Sequence, residues 1–274
     1  MCGLAGLLLD DRERSRDDME MLADTFGDLL TANEVRGKDA TGVAWMTSTG
    51  HTRWVKAPAP AAAFVRGADY RNWEAGITPH VRAIIGHTRM ATRGTPMNRR
   101  NNHPIITGKL VGTHNGTIQN ADELVERHGL LRKAEVDSEV LFRLINRHAD
   151  QYGFDLDGVV TTLRRCRGFM TAIALNTQCP EEILLLRGNR PLCMRTHPGL
   201  GVWAYASLEY QLTASCPVAQ GWVPFTLPEM VALVIRRHVG FTARVRPLRF
   251  IKGTPDASNT TNYPPAHHHT PAKV

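Results

Sequence analysis

Long apolar runs are what this chain of 274 residues most clearly lacks. Nothing approaches the ~18 uninterrupted apolar residues of a membrane-spanning helix. The N-terminus has neither the basic flank nor the long apolar stretch of a secretory signal, so a cytoplasmic protein is expected. Cysteine is scarce as well. The five present (Cys2, Cys166, Cys179, Cys193 and Cys216) are odd in number and scattered. They show no CxxC spacing and no matching histidine pattern, which argues against zinc. Neither an internal repeat nor a recognisable nucleic-acid module is visible.

What remains is ordinary globular composition, 42% hydrophobic and 22% charged, over a length that supports one large core or two small ones. The net charge of +7 is spread along the chain, as at Arg99/Arg100, Arg164/Arg165/Arg167 and Arg236/Arg237. Dispersed cations describe a solvated surface better than a nucleic-acid footprint.

Periodicity gives the outline. An apolar first strand opens the chain, and Met19, Leu22, Phe26, Leu29 and Leu30 predict an amphipathic helix over residues 16–33. Gly42–Thr47 and Thr52–Lys56 flank a turn and read as a hairpin. Short strands at Ala83–Ile85 and Leu110–Gly112 run directly into polar clusters. Helical spacing returns at Val140–Ile145 and again at Leu156–Leu163, the latter with Gly168 as its expected C-cap. The second half is read as strands at Phe169–Asn176, Glu182–Arg187, Gly201–Ala206, Met230–Ile235 and Val239–Val245. Strands at both ends with helices grouped between them predict an α+β arrangement of packed layers. From Gly253 the composition turns to Pro, Thr, Asn and His, so one domain over 2–250 and a disordered tail over 251–274 are expected.

Cys2 directly follows the initiator Met. Trimming of Met1 would leave a single residue carrying both a thiol, of reference pKa about 8.5, and an α-amine, of about 7.7–8.0. Such an amine can take the thiol proton near neutral pH, so the nucleophile brings its own base. Polar clusters follow at residues 86–94, 101–104, 113–118 and 136–139. An enzyme that cleaves the side-chain amide of glutamine needs a planar bidentate donor for the α-carboxylate, which Arg89 can supply. It needs a carboxylate for the α-ammonium, and Asp137 can serve. The charge that develops on the amide oxygen calls for fixed donors, and the Asn115 side chain with the Gly116 N–H can form that oxyanion hole. Each residue alone has a plainer reading: Arg89 as a structural ion-pair residue, Asp137 as a helix start, Asn115-Gly116 as a tight turn.

Taken in order, these segments resemble the class II glutamine amidotransferases, N-terminal-nucleophile glutaminase domains. The likeness is carried by Cys2-Gly3-Leu4-Ala5-Gly6, Arg36-Gly37-Lys38-Asp39-Ala40-Thr41-Gly42, Gly86-His87-Thr88-Arg89-Met90-Ala91-Thr92, His103-Pro104, His114-Asn115-Gly116 and Asp137-Ser138-Glu139. It continues through Arg187–Leu192 and Ala206–Glu209 and spans roughly residues 2–235. The resemblance implies a four-layer αββα sandwich. It also implies Cys2 as nucleophile, Asn115 and Gly116 as oxyanion hole, and Arg89, Thr92 and Asp137 around L-glutamine, with no metal or organic cofactor. His103 lies in a segment that lines the family's pocket, where it reads either as a substrate contact or as a structural hydrogen-bonding histidine. Met90 stands where the family usually has Trp, and Arg93 where His or Tyr is common. The expected reaction is hydrolysis of glutamine to glutamate and ammonia through a Cys2 thioester. The ammonia is expected to pass to a synthase on a separate chain, because the residues after about 250 are too few and too polar for a second catalytic domain. Competing readings are an N-terminal-nucleophile amidase of another specificity and a non-catalytic interaction module that keeps the scaffold.

Overall fold

The apolar run behind Cys2 becomes strand β1 (Gly3–Leu9), in which every residue is buried. In a computed structural model that describes residues 1–254, this strand lies in the middle of a sheet covered on both faces. Alternate side chains of a strand point to opposite faces, so a doubly covered strand must be apolar throughout. Leu4 and Leu8 pack into one core while Ala5, Leu7 and Leu9 pack into another.

The chain continues through α1 (Arg16–Ala32), β2 (Ala40–Thr47), β3 (Thr52–Ala57), α2 (Ala61–Phe64), α3 (Ala68–Glu74), β4 (Val81–Arg89), β5 (Ile105–Thr107) and β6 (Leu110–Ile118). Next come α4 (Ala121–His128), α5 (Asp137–Asn146), a two-stranded ribbon of β7 (Ala149–Asp150) and β8 (Gly153–Phe154), and α6 (Leu156–Leu163). Then follow β9 (Arg167–Asn176), β10 (Glu182–Arg187), β11 (Cys193–His197), β12 (Val202–Ala206), α7 (Glu209–Ser215), β13 (Val223–Phe225), β14 (Val231–His238), β15 (Gly240–Pro247) and β16 (Ile251–Lys252). One seven-stranded sheet runs β13-β11-β12-β1-β4-β2-β3. The other runs β15-β14-β10-β9-β6-β5, with β16 pairing β9.

Three cores set the layers. Leu4, Leu8, Ala83 and Ile85 of the first sheet meet Val111, Ile173, Leu185 and Ile235 of the second between the sheets. Helices α1, α2, α3 and α7 cover the outer face of the first sheet, and α4, α5 and α6 the outer face of the second. This is the expected α+β arrangement of αββα type. Helix α1 matches its predicted span and is closed at its start by a capping box between Ser15 and Asp18.

The polar clusters differ from expectation. Gly86–Arg89 and Thr113–Ile118 do not follow their strands but form the last residues of β4 and β6. Gly168 caps no helix: α6 ends at Leu163, and Gly168 pairs with Ile118 inside β9. A Cβ at Gly168 would come within 1.9 Å of the Thr117 carbonyl oxygen, so cross-strand approach explains this glycine. The short α3, α4, α7 and β11 have too few periodic residues to be read from sequence. Ile251 and Lys252 pair with Arg167 and Gly168, which brings the first residues of the expected tail onto the second sheet. Residues 255–274, with His267-His268-His269, lie outside the described residues. No described helix is long and apolar enough to cross a membrane.

Candidate active site

The pleat explains why the polar residues gather. Even-numbered residues of β1 and odd-numbered residues of β4 and β6 point into the space between the sheets, as Leu4, Leu8, Ala83, Ile85 and Val111 show. Continuing the alternation to the strand ends aims Cys2, His87, Arg89, Thr113 and Asn115 into the same space. The antiparallel register sets Gly3 opposite Thr88, so Cys2 comes beside the end of β4. His87 closes the gap between the sheets, its Nε2 lying 3.1 Å from the His114 carbonyl oxygen.

Cys2 Sγ receives the Met90 backbone N–H at 3.4 Å and lies 3.6 Å from the Met90 carbonyl oxygen. Burial pushes this thiol up, while the Met90 hydrogen bond, the N-terminal ammonium and Arg89 pull it down and Asp137 pushes it up. The resting group is therefore a thiol awaiting a base. The Met1 ammonium donates to the Met90 thioether at 2.6 Å, and burial is the largest cause that lowers its pKa. While Met1 is present the nitrogen of Cys2 is an amide and carries no basic lone pair.

Asn115 is buried, and its Nδ2 donates to no described group. An amide N–H buried without an acceptor costs about 1–3 kcal/mol, so this donor is strained toward an incoming oxygen. Gly116 follows with φ of +152°, and a Cβ there would come within 2.0 Å of the Phe169 carbonyl oxygen. Only glycine fits. His114, the preceding residue of β6, turns to the opposite face, with its Nδ1 2.9 Å from Ser138 Oγ on α5.

Asp137 begins α5 and is half-buried, its Oδ2 accepting from the Ile118 backbone N–H. It lines a cleft of about 520 Å³ together with Thr92, Arg93, Thr117, Arg167 and Lys252. Arg89 is only 3% exposed and does not line that cleft. Its guanidinium donates to Asn102 Oδ1 at 2.7 Å and to the carbonyl oxygens of Arg93 at 2.5 Å and Gly94 at 2.8 Å. In this state Arg89 shapes the loop that carries Thr92. His103 is buried too and absent from the cleft wall; its ring stacks on His87 at 3.9 Å between centroids.

Sequence reasoning assigned no role to several supporting residues. Arg36 Nε donates to the Cys2 carbonyl oxygen at 3.1 Å and so holds the nucleophile's backbone. Asp39 accepts from the Ala91 N–H at 2.7 Å and gives its own N–H to the Arg89 carbonyl, fixing the loop after β4. Between them, Gly37 packs so closely on Arg89 that a Cβ would come within 2.3 Å of its carbonyl carbon. The segment Arg36–Gly42 was a visible signal, but a buried charge on a carbonyl partner is not readable from residue types. Lys56 was missed for the same reason. It is buried and donates to the Asn102 and Pro104 carbonyl oxygens at 2.9 and 2.8 Å.

Two facing seven-stranded sheets, covered by helices on both outer faces, place the Cys2 thiol at their seam beside the end of β4. No family model matches the chain. It is 28% identical over 242 residues to the glutamine–fructose-6-phosphate aminotransferases (isomerizing) of Salmonella typhi and Escherichia coli K12, covering 87% of this chain and 36% of each relative. The chain thus spans about a third of the length of these curated relatives. Among solved structures it is similar to the glutamine phosphoribosylpyrophosphate amidotransferase of B. subtilis, with TM-score 0.66 and 20% identity over 89% of this chain and 49% of that one. An enzyme described as the allosteric regulatory enzyme of purine biosynthesis superposes with TM-score 0.64 at 19% identity, over 89% of this chain and 48% of that one. At such identities the superpositions speak for the fold. The sequence relatives and the superposed structures are glutamine-dependent aminotransferases and amidotransferases, in line with the resemblance carried by the ordered segments of this chain.

Proposed function

We propose that this domain hydrolyses the side-chain amide of L-glutamine through Cys2 once Met1 has been removed. The observation that carries the reading is the buried, unpartnered Asn115 Nδ2 beside Gly116, on strand residues that face the same inter-sheet space as Cys2. The freed α-amine takes the thiol proton, and the thiolate attacks the carboxamide carbon. Negative charge on the oxygen is met by Asn115 Nδ2 and the Gly116 N–H. As the C–N bond breaks, the α-ammonium protonates the leaving nitrogen, which departs as ammonia and leaves a γ-glutamyl thioester. Water, deprotonated by the same amine, then attacks the thioester; glutamate leaves and the thiol is restored.

Asp137, on the cleft wall, pairs with the substrate ammonium, and Thr92 lies on the loop opposite. A carboxylate is a stronger acceptor for a guanidinium than a neutral carbonyl, so the α-carboxylate displaces Arg93 and Gly94 from Arg89 on binding. His103, stacked on His87, serves as a structural support of the site.

The purified, Met1-trimmed protein should release ammonia from glutamine and from no amide that lacks the amino-acid head group. Asn115→Ala should lower kcat by about 10²–10³-fold while leaving unfolding stability unchanged or slightly higher, since Nδ2 satisfies nothing in the resting fold. Undiminished turnover in that variant would remove the oxyanion assignment. We assign the ammonia acceptor to a synthase on another polypeptide. Affinity capture from the native cell should return a transferase or synthetase, and capture of the chain alone would overturn this part.

A further inference from the structure

A second pocket of about 280 Å³ lies beside the site and takes no part in the mechanism above. Its wall includes Trp54, Lys56, Arg99, Arg100 and Lys133, with Glu139 the one carboxylate among its lining residues. That carboxylate is already engaged, by Arg143 and by the backbone N–H groups of Lys133 and Ala134. Among the described residues, the side chains of Arg99, Arg100 and Lys133 make no ion pair and no hydrogen bond, so their charge stays uncompensated. Lys56 adds an ammonium that is almost entirely buried, and its desolvation lowers its pKa to about 8. Trp54 is half-exposed and receives the Lys56 ammonium at 5.2 Å from its ring centroid.

Uncompensated guanidinium groups at the mouth, an ammonium in the wall and a flat aromatic surface beside it are what an anion on a small organic body requires. We propose that this pocket binds a small phosphorylated molecule, its phosphoryl group held by Arg99, Arg100 and Lys133 and its carbon skeleton laid on Trp54. Occupancy reaches the glutamine site through Lys56. That residue grips the carbonyl groups on either side of His103, whose ring stacks on His87, and Asn102 accepts from Arg89. An added anion draws on the same ammonium that holds the 102–104 segment and so shifts the support of Arg89. The coupling rests on the glutaminase reading, whereas the binding does not.

Calorimetric titration of the full chain with inorganic phosphate, ribose 5-phosphate and AMP tests the site. Saturable binding is expected, weakened at least tenfold in the double variant Arg99→Ala/Arg100→Ala, whose turnover without ligand should stay within twofold of the parent. Trp54→Ala should weaken the esters and spare inorganic phosphate. Equal affinity for all three probes in the parent chain would overturn the role of Trp54. No saturable binding, or binding untouched by the double variant, would overturn the site itself. At saturating ester the KM for glutamine should shift at least threefold; an unaltered KM with binding established would refute the coupling. Absence of turnover in the unliganded, trimmed protein bears only on the glutaminase reading.

Discussion

Replacing Cys2 by Ala, or preventing removal of Met1, should lower kcat for glutamine by at least roughly 10⁴-fold, in line with the loss of a covalent nucleophile in other hydrolases. The two changes remove different halves of one device. Cys2→Ala takes away the sulfur that bonds to carbon, and retained Met1 converts the proton-carrying amine into an amide. Neither should unfold the protein, because the Cys2 sulfur bonds only to the Met90 backbone while β1, which starts at Gly3, supplies the buried packing. Unfolding free energies from urea denaturation within about 0.5 kcal/mol of the parent, the usual range for changes away from the core, would separate chemistry from folding. Full turnover with Met1 in place would sink the mechanism.

Acid should destabilise the domain by roughly 3 kcal/mol between pH 6.5 and pH 5 through His87 and His103 alone. Burial lowers His87 to about 3 and takes His103 well below the ordinary histidine value, with Arg89 and His114 opposing protonation of both rings and His87 also opposing that of His103. In the unfolded chain both titrate near 6.5. The folded pKa is the lower one, so the unfolded state binds more protons in the interval between the two. This stability is therefore present above pH 6.5 and is lost as pH falls toward the folded values. Each neutral histidine contributes a slope of about 1.4 kcal/mol per pH unit well below 6.5. His114, also lowered by burial, acts in the same direction. Denaturant unfolding at both pH values measures the effect. His103→Phe, which keeps the stack on His87 and whose lost ring nitrogens have no partner, should remove about half of the slope. A flat profile from pH 6.5 to 5 would show that these rings are not held neutral.

The elements with strong periodicity were legible beforehand. Helix α1, the β2–β3 hairpin and strands β9, β10, β14 and β15 appear where the sequence pattern put them; α1, β2, β9, β10 and β14 bury one or both faces of a repeating pattern, whereas β15 lies largely exposed at the sheet edge. The ends of β4 and β6 were misread, since a strand that changes from apolar to polar looks like a strand that has stopped. In fact Gly86–Arg89 and Thr113–Ile118 keep full cross-strand pairing, and their polarity reflects where the pleat points them. Gly168 was misjudged because a helix-capping glycine and a close cross-strand glycine are the same letter.

By itself the sequence determined the two-sided burial of β1, the order of the polar segments and the chemical pairing of an amine with a thiol at one residue, since these follow from residue type and position. Tertiary structure alone decided that His103 stacks inside the protein and that Arg89 spends its donors on a loop. It also decided that Lys56 and Arg36 serve backbone carbonyls near the nucleophile. The reason is distance along the chain: Lys56 and Pro104, or Arg36 and Cys2, meet only when separate strands are stacked, and no local pattern encodes which buried charge will find which carbonyl.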